Sequence, residues 1–154
     1  MNQAHVNLKE PPLAPEYEAD FTLWAEHQEL LLRERRFDLL DLDNLIDEVG
    51  DMGRSARREL RNRLRQLLLH LLKCAYQPAH QSGSWISTIN EQRASIADLI
   101  ADSPSLAPTV QAAADHAYRL AASAAAKETG LPRATFPPAN PYTTEQLLDE
   151  DYFP

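Results

Sequence analysis

At 154 residues and 17.4 kDa the chain can form one domain-sized hydrophobic core and is too short for two. With 44% apolar and 25% charged residues it has ordinary globular composition, which excludes wholesale disorder and fibrous repeats, and its net charge of −8 disfavours general binding to nucleic acid or anionic membranes. No apolar run reaches the roughly 18 residues of a membrane span, the start lacks a secretory pattern, and the single cysteine, Cys74, excludes an internal disulfide, so the expected compartment is the cytoplasm.

Proline marks the boundaries in chain order. All 11 prolines fall outside residues 16–77, 79–103 and 109–131, and only 4 glycines occur, so the chain is read as all-α. Residues 1–16, with Pro11, Pro12 and Pro15, form an expected flexible arm, and residues 17–154 a single helical domain. A first helix is predicted from the N-cap Asp20 to about Arg35, with Phe21, Trp24, Leu31 and Leu32 as its apolar face and His27 beside it. A turn near Phe37 follows.

Asp41 can then cap a long central helix, about residues 41–77. Its apolar stripe is Leu42, Leu45, Ile46, Val49, Met52, Ala56, Leu60, Leu64, Leu67 and Leu71. The stripe keeps helical phase through Gly50 and Gly53, which favours one helix over two broken there. A third helix is expected from Ser82 or Ser84 to just before Pro104, with Trp85, Ile86, Ile89, Ile96, Leu99 and Ile100 on one side. A fourth starts at Pro104 or after Pro108 and ends at Gly130, with Leu106, Val110, Ala113, Ala117, Leu120 and Ala124 as its stripe and small alanines elsewhere that suit close packing. Residues 131–154 carry five prolines, four aromatics and a capping-box sequence at Thr143–Gln146, and read as a proline-rich C-terminal strap docked on a bundle of four main helices.

Charge is segregated. Glu10 to Asp51 holds thirteen acids and three bases, whereas Arg54 to Lys73 holds seven bases and one acid, Glu59. Each run can be a solvated helix face, or the arginines can form a basic groove that the tail acids Glu145, Asp149, Glu150 and Asp151 cover. A nucleic-acid role would need Arg54, Arg57, Arg58, Arg61 and Arg65 exposed together.

Polar residues interrupt the apolar stripes. Arg63, Gln66, His70, Lys73 and Gln77 form one line on the central helix, and Gln92 and Arg93 stand where the third helix calls for an apolar residue. Such residues either satisfy one another in a structural network or line a cleft between helices. The catalytic candidates are His70, Glu48, Arg93 and Gln92, and the ligand-binding candidates Asn44, Lys73, Gln77 and Trp85. Specific chemistries find little support. His27, His70 and His116, with Glu48 or Asp47, lack any metal-ligand spacing, so no metal and no cofactor is expected. Arg63 or Arg65 followed by His70 matches a helical ribonuclease pattern only weakly. No GxSxG nucleophile turn or phosphate-binding glycine loop occurs, and Cys74 reads as a small core residue.

Six stretches in order, LDNLIDEVGDMGRS, LLLHLLKCAYQP, SWISTINEQR, SPSL, ETGLP and EQLLDEDYFP, resemble the bacterial family catalogued as domain of unknown function 29. The likeness runs from about Tyr17 to Pro154. It implies a small helical bacterial protein without an established activity, and a shared set of polar positions at Asn44, Glu48, His70, Lys73, Gln77, Trp85, Gln92 and Arg93. The expectation is therefore a protein-interaction or regulatory module with a protein partner or a second copy of itself, the alternative being a ribonuclease-like or metal-dependent hydrolase built around His70.

Overall fold

The structure, a computed structural model, describes residues 14–154, so most of the expected N-terminal arm lies outside the described residues. Five helices appear: α1 (Phe21–Arg33), α2 (Leu42–Tyr76), α3 (Gly83–Asp102), α4 (Val110–Thr129) and α5 (Thr144–Leu148), and no strand occurs among the described residues. The expected all-α architecture of four main helices and a C-terminal strap is what is observed. The central helix is continuous for 35 residues through Gly50 and Gly53, because in-phase leucines and good helix formers on both sides outweigh the roughly 1 kcal/mol that an interior glycine costs. The chain divides into two compact units, Met1–Asp51 and Met52–Pro154, and the division falls within α2.

In the first unit, Asp20 caps α1 by accepting a hydrogen bond from the Leu23 amide at 3.0 Å. The buried face is Trp24, Gln28 and Leu31, spaced by four and three residues. This corrects the sequence expectation for two positions. Phe21 and Leu32 are half exposed, because the polar Gln28 occupies the centre of the face and rotates it away from them. The helix ends in a pair of bonds, Arg36 N–H to Leu31 O at 2.9 Å and Arg35 N–H to Leu32 O at 3.1 Å. Arg35 stands in the left-handed region at φ 58°, a position usually given to glycine. A short 3-10 turn, Phe37–Leu39, leads into α2.

In the second unit the C-terminal half of α2 is buried over most of its circumference, from Leu60 and Leu64 through Leu67, Leu68, Leu69, Leu71, Leu72 and Cys74. Ile89 and Ile96 of α3 and a row of alanines on α4 complete the core. On α4 the buried row is Ala114, Ala117, Ala121 and Ala125, with Tyr118, while Leu120 is half exposed. The expected stripe is thus rotated. The small side chains form the contact because they let helix axes approach closely, and the larger Leu120 is left outside. Gly130 closes α4 at φ 74°. The strap is anchored by Phe136, Tyr142 and Leu147, all buried, and by the capping box of Thr143 and Gln146 that starts α5.

Candidate functional site

Asp41 organises the first unit. One carboxylate oxygen accepts hydrogen bonds from the indole N–H of Trp24 at 3.0 Å and from Asn44 Nδ2 at 2.7 Å, while the other receives the Asn44 amide at the start of α2. Its own amide donates to Gln28 Oε1 at 2.8 Å. These contacts, the Asn44 side-chain bond first, hold its carboxyl below the usual carboxylate range. Glu48 accepts a hydrogen bond from the Tyr17 hydroxyl, which pushes the phenol pKa up to about 12. Tyr17 also meets Trp24 edge-on at 4.9 Å. Asn44 and Glu48 therefore act as joints between α1, its preceding segment and the start of α2. Asp41 and Gln28 were not among the site candidates. The proximity of an N-cap to a buried glutamine was not encoded in any local pattern.

Outside this small interior the first unit displays apolar surface. Leu42, Ile46 and Val49 lie on one line of α2 and are 56%, 67% and 65% exposed, and Met52 follows in the second unit at 72%. The stripe that buries Leu60, Leu64, Leu67 and Leu71 without remainder leaves Leu42, Ile46, Val49 and Met52 open to solvent over its first three turns, with Leu45 half-buried. The acids Asp43 and Asp47 are exposed as well, on a different side of the helix.

In the second unit the polar line of α2 does not gather into one cluster; Arg63, His70, Lys73 and Gln77 each have their own partners. Arg63 pairs with Glu59 at 2.8 Å and reaches Gln92 Oε1 on α3 at 3.5 Å. His70 Nδ1 lies 2.9 Å from the Gln66 carbonyl oxygen, which can only accept, so this nitrogen carries the proton. Lys73 is buried with its ammonium 2.7 Å from Glu128 of α4 and 4.4 Å from the centre of the Trp85 ring, a combination that satisfies the charge on two sides. Gln77 donates to the Thr129 carbonyl at 3.0 Å. Lys73 and Trp85 are brought together, as are Arg63 and Gln92. Among the described residues no hydrogen bond joins His70 to Glu48, Gln92 or Arg93.

Arg93 has the most demanding environment. Its guanidinium is buried and donates to the carbonyl oxygens of Leu147 at 3.0 Å, Gln146 at 3.1 Å, Tyr152 at 2.8 Å and Glu150 at 3.4 Å. Two of these are carbonyls at the end of α5, which have no partner within the helix. Phe153 lies against the guanidinium, 5.4 Å from ring centre to Cζ. Burial lowers the Arg93 pKa, partly offset by Asp149 and Glu150. The acidic tail thus stands beside Arg93 and Asn90 of α3, and does not cover the α2 arginines as the sequence suggested. Burial likewise raises the Cys74 thiol, against the influence of Lys73, in keeping with a small core residue.

The arginines form a separate feature. A hollow of about 220 Å³ between α2 and α4 has Leu60, Ala112 and Ala113 among its lining and Arg57, Arg61, Thr109 and His116 around them. Arg57, Arg58 and Arg61 are exposed. No group of three or more His, Cys, Asp or Glu side chains among the described residues is placed to hold a metal ion, and no helix among them is long and apolar enough to cross a membrane.

The arrangement defines a helical protein whose polar interior side chains hold helices and tail together, and whose accessible features include an apolar stripe and an arginine-rimmed hollow. Residues 16–153 match the model of the family described as Domain of unknown function DUF29, and the chain belongs to that family. Comparison with curated proteins and with solved structures returned no match.

Proposed function

We propose that this protein is an interaction module and that its binding face is the exposed stripe Leu42, Ile46 and Val49. The observation that carries this reading is the exposure of the stripe itself. Isolated apolar residues on a surface are ordinary, but a row of large ones in helical phase marks a contact surface. Polar candidates in the second unit support the same reading from the other side, since His70, Lys73, Gln92 and Arg93 all engage backbone or side-chain partners that fix the fold. A regulatory role, in which occupancy of the face controls a partner, is compatible with this reading.

The test is photo-crosslinking in living cells with benzoylphenylalanine in place of Ile46, and with the same probe in place of the exposed Glu91 on α3 as control. An interaction module gives discrete protein adducts at position 46 and none at position 91. Position 46 remaining as uncrosslinked as position 91 would overturn the reading.

A further inference from the structure

We infer that the hollow between α2 and α4 binds a small phosphate monoester, a dianion with a compact apolar body, held by Arg57, Arg61 and His116 over a floor of Leu60, Ala112 and Ala113. The site lies wholly within the unit Met52–Pro154 and does not depend on the reading of the exposed stripe Leu42, Ile46 and Val49.

Two helix faces make the hollow. Arg57, Leu60 and Arg61 stand at i, i+3 and i+4 on α2, and Ala112, Ala113 and His116 at i, i+1 and i+4 on α4, so each set shares one side of its helix. The two alanines leave the space open, because a larger side chain at either position would fill it. The charge on the rim is uncompensated. Among the described residues neither Arg57 nor Arg61 has an ion-pair partner. Glu59, the one acid between them, is turned to Arg63 at 2.8 Å, and Asp115 of α4 accepts from Gln111 at 3.0 Å and Asn140 at 2.9 Å. Two like charges one turn apart repel each other, and an anion set between them turns that repulsion into attraction.

The walls select the ligand. A guanidinium presents paired N–H donors that match the oxygens of a carboxylate or a phosphate. Two guanidiniums and an imidazole from the opposite wall suit three terminal oxygens carrying up to two negative charges, which a phosphate monoester supplies near neutral pH and a carboxylate does not. The Thr109 hydroxyl is committed to the Leu106 carbonyl at 2.7 Å and adds no donor. The apolar floor favours an ester over inorganic phosphate, whose fourth oxygen would face Leu60 and the alanines without a partner. At about 220 Å³ the hollow is smaller than the roughly 300 Å³ at which sites for drug-sized ligands begin, so the body it accepts is a single ring or a short chain. A net charge of −8 opposes a nucleic acid at each of its phosphates and a single dianion only once.

The experiment is an amide chemical-shift titration of the nitrogen-labelled full chain with phenyl phosphate at constant ionic strength. Saturable shifts are expected at Leu60, Ala112 and Ala113, and inorganic phosphate is expected to bind about fivefold or more weakly for want of the ring. Arg57→Gln and Arg61→Gln are each expected to weaken phenyl phosphate binding by about tenfold. Arg58→Gln removes the same charge from an exposed arginine outside the lining and is expected to leave the affinity within about twofold. Ala112→Phe, at an exposed alanine of the wall, is expected to abolish binding with an unchanged melting temperature. Absence of saturable shifts up to about 10 mM phenyl phosphate would overturn the proposal. Equal losses from Arg57→Gln and Arg58→Gln would overturn it too, since they mark diffuse attraction to a basic surface. Inorganic phosphate binding as tightly as the ester, or a single-stranded oligonucleotide binding more tightly with the same dependence on Arg57 and Arg61, would overturn the assignment to a small monoester.

Discussion

Asp41 and Arg93 show how single side chains fix each unit. The Asp41 carboxyl is held below its ordinary value of 3.8 by Asn44 and Trp24, so its contribution is fully present above that value and is lost as pH falls through the lower, folded value. Protonation weakens its bond to the Trp24 indole. In a Trp85→Phe background, which isolates Trp24, fluorescence should stay constant from neutral pH to about pH 4 and change below it, and Asp41→Asn should abolish the change. A flat titration in the parent would contradict the role given to Asp41. For Arg93, the planar guanidinium reaches four tail carbonyls at once, which a lysine ammonium cannot do. Arg93→Ala should cost about 3 kcal/mol in thermal or urea unfolding and speed amide exchange at Leu147–Tyr152, with Arg93→Lys recovering little of either. An unchanged exchange rate in the tail would show that Arg93 does not hold it.

At the scale of elements, the helices were largely legible in the sequence and their facing was not. Asp20, Asp41, Gly130 and the Thr143–Gln146 box are local signals, and each marks the boundary it was expected to mark. Periodicity likewise carried α2 across two glycines. It could not say which stretch of a stripe finds a neighbour: Leu42 and Leu60 occupy equivalent helical positions, yet one is 56% exposed and the other 1%. On α4 the alanines that the sequence marked as suited to close packing took the interior, while the stripe drawn through Leu120 did not. The polar candidates were found because polar residues in apolar stripes are conspicuous, but their partners, Glu128, Thr129 and the tail carbonyls, lie on other elements and were out of reach. Arg35 was missed for a different reason. Its left-handed conformation is normally announced by glycine, and here an arginine bears a strain of about 1 kcal/mol. Arg35→Gly should therefore stabilise the protein by about that amount in a thermal melt, and a loss of stability would contradict the assigned geometry.

At the scale of the whole molecule, the exposed apolar stripe is the surface that the interaction reading assigns to a partner. Full burial of a Leu, Ile or Val side chain is worth about 1.5–3 kcal/mol, and Leu42, Ile46 and Val49 each leave more than half of their surface open. Photo-crosslinking from position 46, with position 91 as control, tests this most directly. The account predicts discrete protein adducts from position 46 that are lost when Val49→Asp is added with the melting temperature unchanged. No adduct at position 46, or adducts that persist undiminished in the Val49→Asp variant, would contradict it.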